Sequence, residues 1–180
     1  MIEKNRYISI GIPPRRKMAT IIIERQKLLY DIKNYAYVEG DIMQTEDDHD
    51  RHQVQDICED GNIDRVTRVL GLAYTECLEA LYPYVKMPVH NDTVRINHLN
   101  EWSDYNFYML LPDDFSETTI SFLKEQINEY MVCRVLADWL SITKPSAAPN
   151  WEGKAENAKT EIANALNHRV RRTRRTQTPF

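Results

Sequence analysis

The residues of this chain most suited to chemistry stand in "EDDHDRH", residues 46–52. Glu46 and His49 have the Glu-x-x-His spacing with which helical bundles hold a di-iron centre, because residues three apart share one face of a helix. That centre needs the motif twice, and no second copy occurs. His49 and His52 are also three apart, but a closed zinc site needs further ligands that the sequence does not place. The stretch reads as a solvated acidic linker, and no metal or other cofactor is expected. Cys58, Cys77 and Cys133 are odd in number, widely spaced and without a CxxC pair. They read as free thiols, mostly buried, which leaves a zinc ribbon or a dithiol redox site unsupported.

Nucleophilic and phosphate chemistry find no better footing. There is no G-x-S-x-G elbow, and no Ser or Cys has neighbours that suggest activation. "EGKAE" (residues 152–156) has Gly-Lys but lacks the first glycine and the Ser/Thr of a phosphate loop. "NDT" (residues 91–93) is a glycosylation sequon that acquires meaning only on secretion. The expectation is a protein that is not an enzyme.

The last group with chemical potential is the ending "RVRRTRRTQTPF", where Arg169, Arg171, Arg172, Arg174 and Arg175 precede Pro179 and Phe180. All 27 acidic residues lie before residue 162, so residues 1–168 set 18 basic against 27 acidic side chains, a formal −9, and the remainder carries +5. A negative body does not bind a DNA duplex over its surface, since phosphate neutralisation supplies most non-specific affinity. The tail is left with three readings: a nucleic-acid contact, a docking arm and a solvated extension. The terminal Pro-Phe favours docking, because an electrostatic tether has no use for an aromatic end.

The elements that must position these groups follow from apolar spacing. No run approaches the roughly 20 apolar residues of a membrane helix. The opening "MIEKNRYISIGIPPRRK" lacks the order of a signal peptide, so synthesis in the cytosol is expected. Residues 1–17 read as an arm, since Pro13-Pro14 fits neither a helix interior nor a central strand. Ile22, Leu29, Ile32 and Ala36 predict a helix from Met18 to about Val38, with Gly40 as its stop. A short helix follows around His52–Glu59. Asn62 then caps a helix whose stripe is Ile63, Val66, Leu70, Ala73, Cys77 and Leu81, ended by Pro83. "DTVRINHL" and "YNFYMLLP" predict two short strands around "NEWSD", a β-hairpin near 92–112. Asp114 and Glu117 have capping-box spacing at the head of a long helix through about Ile142, with Ile120, Leu123, Ile127, Tyr130, Met131, Val135, Leu136 and Trp139 on its wide apolar face. After the linker "TKPSAAPN", a final helix uses Trp151, Ala155, Ala158, Ile162, Ala165 and Leu166, a narrow alanine-rich stripe suited to close packing on a partner surface. The expected fold is mainly α, a bundle of four to five helices within residues 18–168, with a small β-hairpin and extended N- and C-terminal arms, the latter at 169–180.

Two resemblances compete for the function. "GNIDRVTRVLGLAYTECLEAL" (Gly61–Leu81) resembles the helix-turn-helix of Fis-type bacterial regulators, with Leu70-Gly71-Leu72 as the turn, which implies a DNA-binding regulator. Its recognition helix would present Glu76 and Glu79, without the Arg, Lys, Asn or Gln that reach bases and phosphates. "YNFYMLLPDDFSETTISFLKEQINEYMVCRVLADWL", followed by the final helix and basic tail, resembles the head–tail connector (adaptor) proteins of tailed bacteriophages. That resemblance covers about residues 105–180 and rests on layout. It implies a structural virion protein, made in the host cytoplasm. Identical subunits would form a ring between the capsid portal and the tail, through which the genome passes. The implied partners are further copies of the chain, the portal protein and tail or other neck proteins, with transient non-specific DNA contact and no membrane. A ring built by rotation needs two different complementary faces on each subunit. On this reading Arg169, Arg171, Arg172, Arg174, Arg175, Pro179 and Phe180 form the partner-binding arm, the arginines pairing with carboxylates and Phe180 filling an apolar pocket.

Overall fold

A computed structural model describes residues 16–43, 48–82, 84–85 and 104–167. In chain order these are strand β1 (Arg16–Glu24), helices α1 (Arg25–Asp41) and α2 (Asp48–Gln55), a 3-10 turn (Asp56–Cys58), helix α3 (Ile63–Ala80), strand β2 (Asp104–Pro112), and helices α4 (Glu117–Thr143) and α5 (Ala148–Ala165). The fold class is the expected one: five helices with one two-stranded antiparallel ribbon. Residues 92–99, expected as one strand of that ribbon, and most of both expected arms lie outside the described residues. No helix among the described residues is long and apolar enough to cross a membrane.

The long helix α4 is the axis of the core. Leu123, Ile127, Met131 and Leu136 are fully buried along it, as the wide apolar face predicted, and so is Leu140. After the turn at Lys144–Ala147, α5 folds back along α4 and buries Trp151, Ala155, Ala158, Ile162 and Ala165 against it. The alanines bring the two helices close. The surface their stripe covers is this chain's own α4. Helix α1 adds Leu28, Ile32 and Ala36 to the same core, and α3 adds Val66, Leu70, Ala73 and Cys77. Burial pushes all three thiols up from their ordinary range, Cys133 to about 12.

Three expectations about local structure are corrected. Residues 18–24 belong to β1 and not to a helix. Ile21 and Ile23 are buried while Met18 and Ile22 face out, and this period of two, in a β-branched run, overrides the helical spacing that Ile22 shares with Leu29. Arg16 and Lys17, expected in the arm, open the same strand. The partner of β1 is β2, in nine consecutive pairs from Arg16↔Pro112 to Glu24↔Asp104, so the ribbon joins segments far apart in the chain.

The second correction concerns Gly71. Helix α3 runs unbroken from Ile63 to Ala80, so the turn that a helix-turn-helix requires at Leu70–Leu72 does not exist. A Cβ at Gly71 would meet nothing within 4 Å, so packing does not demand a glycine there. One glycine costs a helix about 1 kcal/mol, too little to break one whose flanking Val69, Leu70 and Ala73 are buried.

The third is the head of α4. The helix begins at Glu117 behind Ser116, and Asp114 lies in the preceding turn. That turn, closed by Phe115 N–H donating to the Pro112 carbonyl at 3.0 Å, delivers the Phe115 ring into the core before the helix can start.

Gly40 does require the absence of a side chain. It sits where α1 crosses α2, and a Cβ there would lie 2.7 Å from Gln55 Cγ and 3.1 Å from the Arg51 carbonyl. Gly40→Ala should therefore destabilise by about 1–3 kcal/mol through overpacking, despite alanine's better helix propensity. A shift of the urea midpoint to lower concentration, with unchanged slope, checks this.

Candidate docking groove on helices α3, α4 and α5

Where α5 lies beside α4, its exposed face and one flank of α3 enclose a groove of about 320 Å³. Two ion-paired carboxylates, Glu76 and Asp138, line its floor. Tyr130 donates to Glu76 Oε2, and Arg134 Nε stands 3.5 Å from the same oxygen. Arg65 donates through both Nε and Nη2 to Asp138 Oδ2, at 2.9 and 2.8 Å. The side chains that come from α4, Tyr130, Arg134 and Asp138, are one helical turn apart and therefore point the same way.

Hydrogen bonds and ion pairs hold the polar side chains of the groove in place. Burial first, and then the hydrogen bond to Glu76 and its charge, hold the Tyr130 phenol far above its ordinary range. It remains a proton donor locked to a carboxylate. Ser141 Oγ donates to the Asp138 carbonyl at 2.7 Å. Each carboxylate on the floor faces an arginine, while the rim on α5 carries Glu152, Glu156 and Lys159 exposed. Among the described residues, no group of three His, Cys, Asp or Glu could hold a metal ion. His49 shares a hydrogen bond with Gln53 at 2.9 Å, and Glu46 lies outside the described residues.

A second polar cluster fixes the end of the groove-bearing hairpin to α1. Lys144 Nζ donates to Glu39 Oε2 at 2.8 Å and to the Glu39 carbonyl at 3.1 Å, while Trp151 Nε1 donates to Glu39 Oε1 at 3.0 Å. The Trp151 ring meets Tyr35 edge-on at 5.2 Å and carries Lys154 Nζ 3.7 Å from its centroid. Burial disfavours the Glu39 charge, but the hydrogen bonds from Lys144 and Trp151, with the charges of Lys144 and Lys154, outweigh it and hold the carboxyl below its ordinary range. Lys144 thereby satisfies a carbonyl near the end of α1, which has no basic residue of its own in its last turn.

The residues expected to bind partners, Arg169, Arg171, Arg172, Arg174, Arg175, Pro179 and Phe180, lie outside the described residues. Residues 148–165, the helix α5 that precedes them in the sequence, supply the exposed rim of the groove. Sequence reading missed Glu39, Lys144, Arg65 and Asp138. Their partners stand 105 and 73 residues away, beyond the reach of any local pattern. Comparison with protein families, with curated proteins and with solved structures finds no match in any of the three.

Proposed function

We propose that this chain is a structural virion protein that assembles as a ring between the capsid portal and the tail, its C-terminal arm docking on the portal or on a neighbouring subunit. The observation that supports this best is the separation of charge: an acidic helical body followed in the sequence, just past α5, by an arginine-rich segment. Such a subunit carries two unlike faces that can complement each other around a ring, which is the requirement for a closed heterologous assembly. An acidic channel wall offers no counter-charge to passing DNA, so the genome would slide without sticking. Glu76 and Asp138, carboxylates that line the α3–α4–α5 groove, each pair with an arginine, an arrangement that fits a docking surface.

Light scattering and electron microscopy of the full chain, alone and with portal particles, test the reading. Rings or portal recruitment are expected. A monomer that binds one duplex sequence specifically would overturn it in favour of a DNA-binding regulator. Deleting residues 169–180 should abolish assembly or recruitment and leave the circular-dichroism spectrum and melting transition unchanged. Assembly that survives the deletion would refute the role of the arm.

A further inference from the structure

We propose that the outer edge of β1 accepts residues 6–12 of a second copy of this chain as an added strand. In an antiparallel ladder, residues alternate between facing the partner strand and facing away from it. Leu110 N–H points away from β1, to the Tyr84 carbonyl at 2.9 Å, so its register partner Met18, and with it Thr20 and Ile22, turn their backbone groups to the far side of β1. The two edges of the ribbon then differ. That of β2 is engaged by Tyr84 and by Tyr74, whose hydroxyl donates to the Asn106 carbonyl at 2.9 Å. That of β1 has no neighbouring strand among the described residues.

Edge strands are usually protected by charge, proline or a bulge. From Met18 to Ile23, "MATIII", β1 has none of these, and its nine pairs are consecutive. The nearest lysine, Lys17, is drawn inward to donate to the Phe115 carbonyl at 2.8 Å. Two apolar side chains on this edge are exposed. Met18 is 81% exposed opposite Leu110, and Ile22 is 46% exposed. Beside the strand, a groove of about 150 Å³ runs between Ile22, Ile23, Glu24 and Lys27 on one side and Lys124, Glu125 and Asn128 of α4 on the other. A strand added at this edge would pair with the backbone of Met18, Thr20 and Ile22 and cover that groove.

The sequence ahead of β1 supplies the occupant. In "RYISIGI", residues 6–12, Ile8, Ile10 and Ile12 alternate with Ser9 and Gly11, the period of a strand with one apolar face. Pro13-Pro14 connects it to β1. Two successive prolines disfavour the tight reversal that would return this segment to its own β1. Proline at the second central position of a common turn forces the residue before it out of the required conformation, and both prolines have fixed φ. The favoured acceptor is thus the β1 of another molecule. The inference concerns self-association and is independent of the portal: failure to bind portal particles would leave it standing.

The test is lysine cross-linking of full-length chains, unlabelled and 15N-labelled, combined dilute and then concentrated. Lys4 should link to Lys27 and Lys124, with about half of the products joining a light to a heavy chain, as random pairing requires. Thr20→Pro removes an outward N–H and leaves the β1–β2 ladder intact; it should lower the mixed products several-fold while the helical circular-dichroism signal persists. Ile10→Asp, which changes only the added segment, should do the same, so the result does not depend on how the ribbon tolerates proline. Products confined to one isotope, an absence of Lys4 products, or mixed products undiminished by Ile10→Asp would each overturn the proposal.

Discussion

Lys144→Met is expected to cost about 3–5 kcal/mol, because it strands the Glu39 carboxylate without its cation in a largely closed site. Side-chain exposure is 18% for the lysine and 14% for the glutamate, so the pair is shielded from the screening that makes surface ion pairs nearly worthless. The loss is compounded at the Glu39 backbone carbonyl, which gives up its hydrogen bond from the same ammonium. For a chain of this size the melting temperature should fall by about 10 °C. Removing both charges with Lys144→Met and Glu39→Gln should recover part of the loss, since no unpaired charge then remains.

The same cluster predicts a pH dependence whose sign is fixed. Glu39 is held below its ordinary range in the folded state, so its contribution is complete above the range where the unfolded carboxyl titrates and is lost as pH falls through the depressed folded value. In Lys144→Met, burial is left without its main opposition, and protonation of Glu39 becomes favourable. The stability gap between wild type and variant should therefore narrow on acidification. Denaturant titrations at neutral and mildly acidic pH would show this, and a gap that widens would remove Glu39 as the cause.

Trp139→Ala is the second large effect, at about 3–5 kcal/mol. The indole is buried on α4 and its Nε1 donates to the Val54 carbonyl at 3.0 Å, a wholly buried bond that holds the end of α2 against the core. Truncation leaves a cavity and an unsatisfied carbonyl together. Trp139→Phe separates the two, since it keeps most of the packing and loses the donor, and should cost about 1–3 kcal/mol. Hydrogen exchange localises the damage: amides of α2 and the following 3-10 turn should lose protection before those of α5 do. Uniform loss along the chain would mean that Trp139 supports the whole core and not this one contact.

Much of the helical half is legible in the chain's apolar spacing. In α5 every expected contact residue from Trp151 to Ala165 is buried, and in α4 Leu123, Ile127, Tyr130, Met131, Val135, Leu136 and Trp139 all lie inside. Asn62 holds the N-cap position of α3 as expected, although its side chain donates to the Asp56 carbonyl and not to the helix. Expectation and fold part where two local signals coincide or where a signal is incomplete. The run Thr20–Ile23 satisfies a helical spacing and a strand alternation at once, and the pairing with β2 decides between them. Gly71 has the look of a turn, yet the apolar stripe of α3 continues through it. Asp114 has capping-box spacing, but core burial of Phe115 delays the helix to Glu117.

What the sequence determined by itself is the set of one-sided helices and the segregation of charge between body and tail. Both are properties of a local segment: a helix that buries one face must repeat its apolar residues every three or four positions, whatever it packs against. Only the tertiary structure decided which segments meet. It paired β1 with β2, set Glu76 beneath Tyr130 and Arg134, closed Lys144 on Glu39 from 105 residues away, and left the far edge of β1 without a neighbouring strand among the described residues. Polar pairs and strand partners carry no periodic mark in the chain, because their energy depends on two distant groups arriving together and neither group alone records the other.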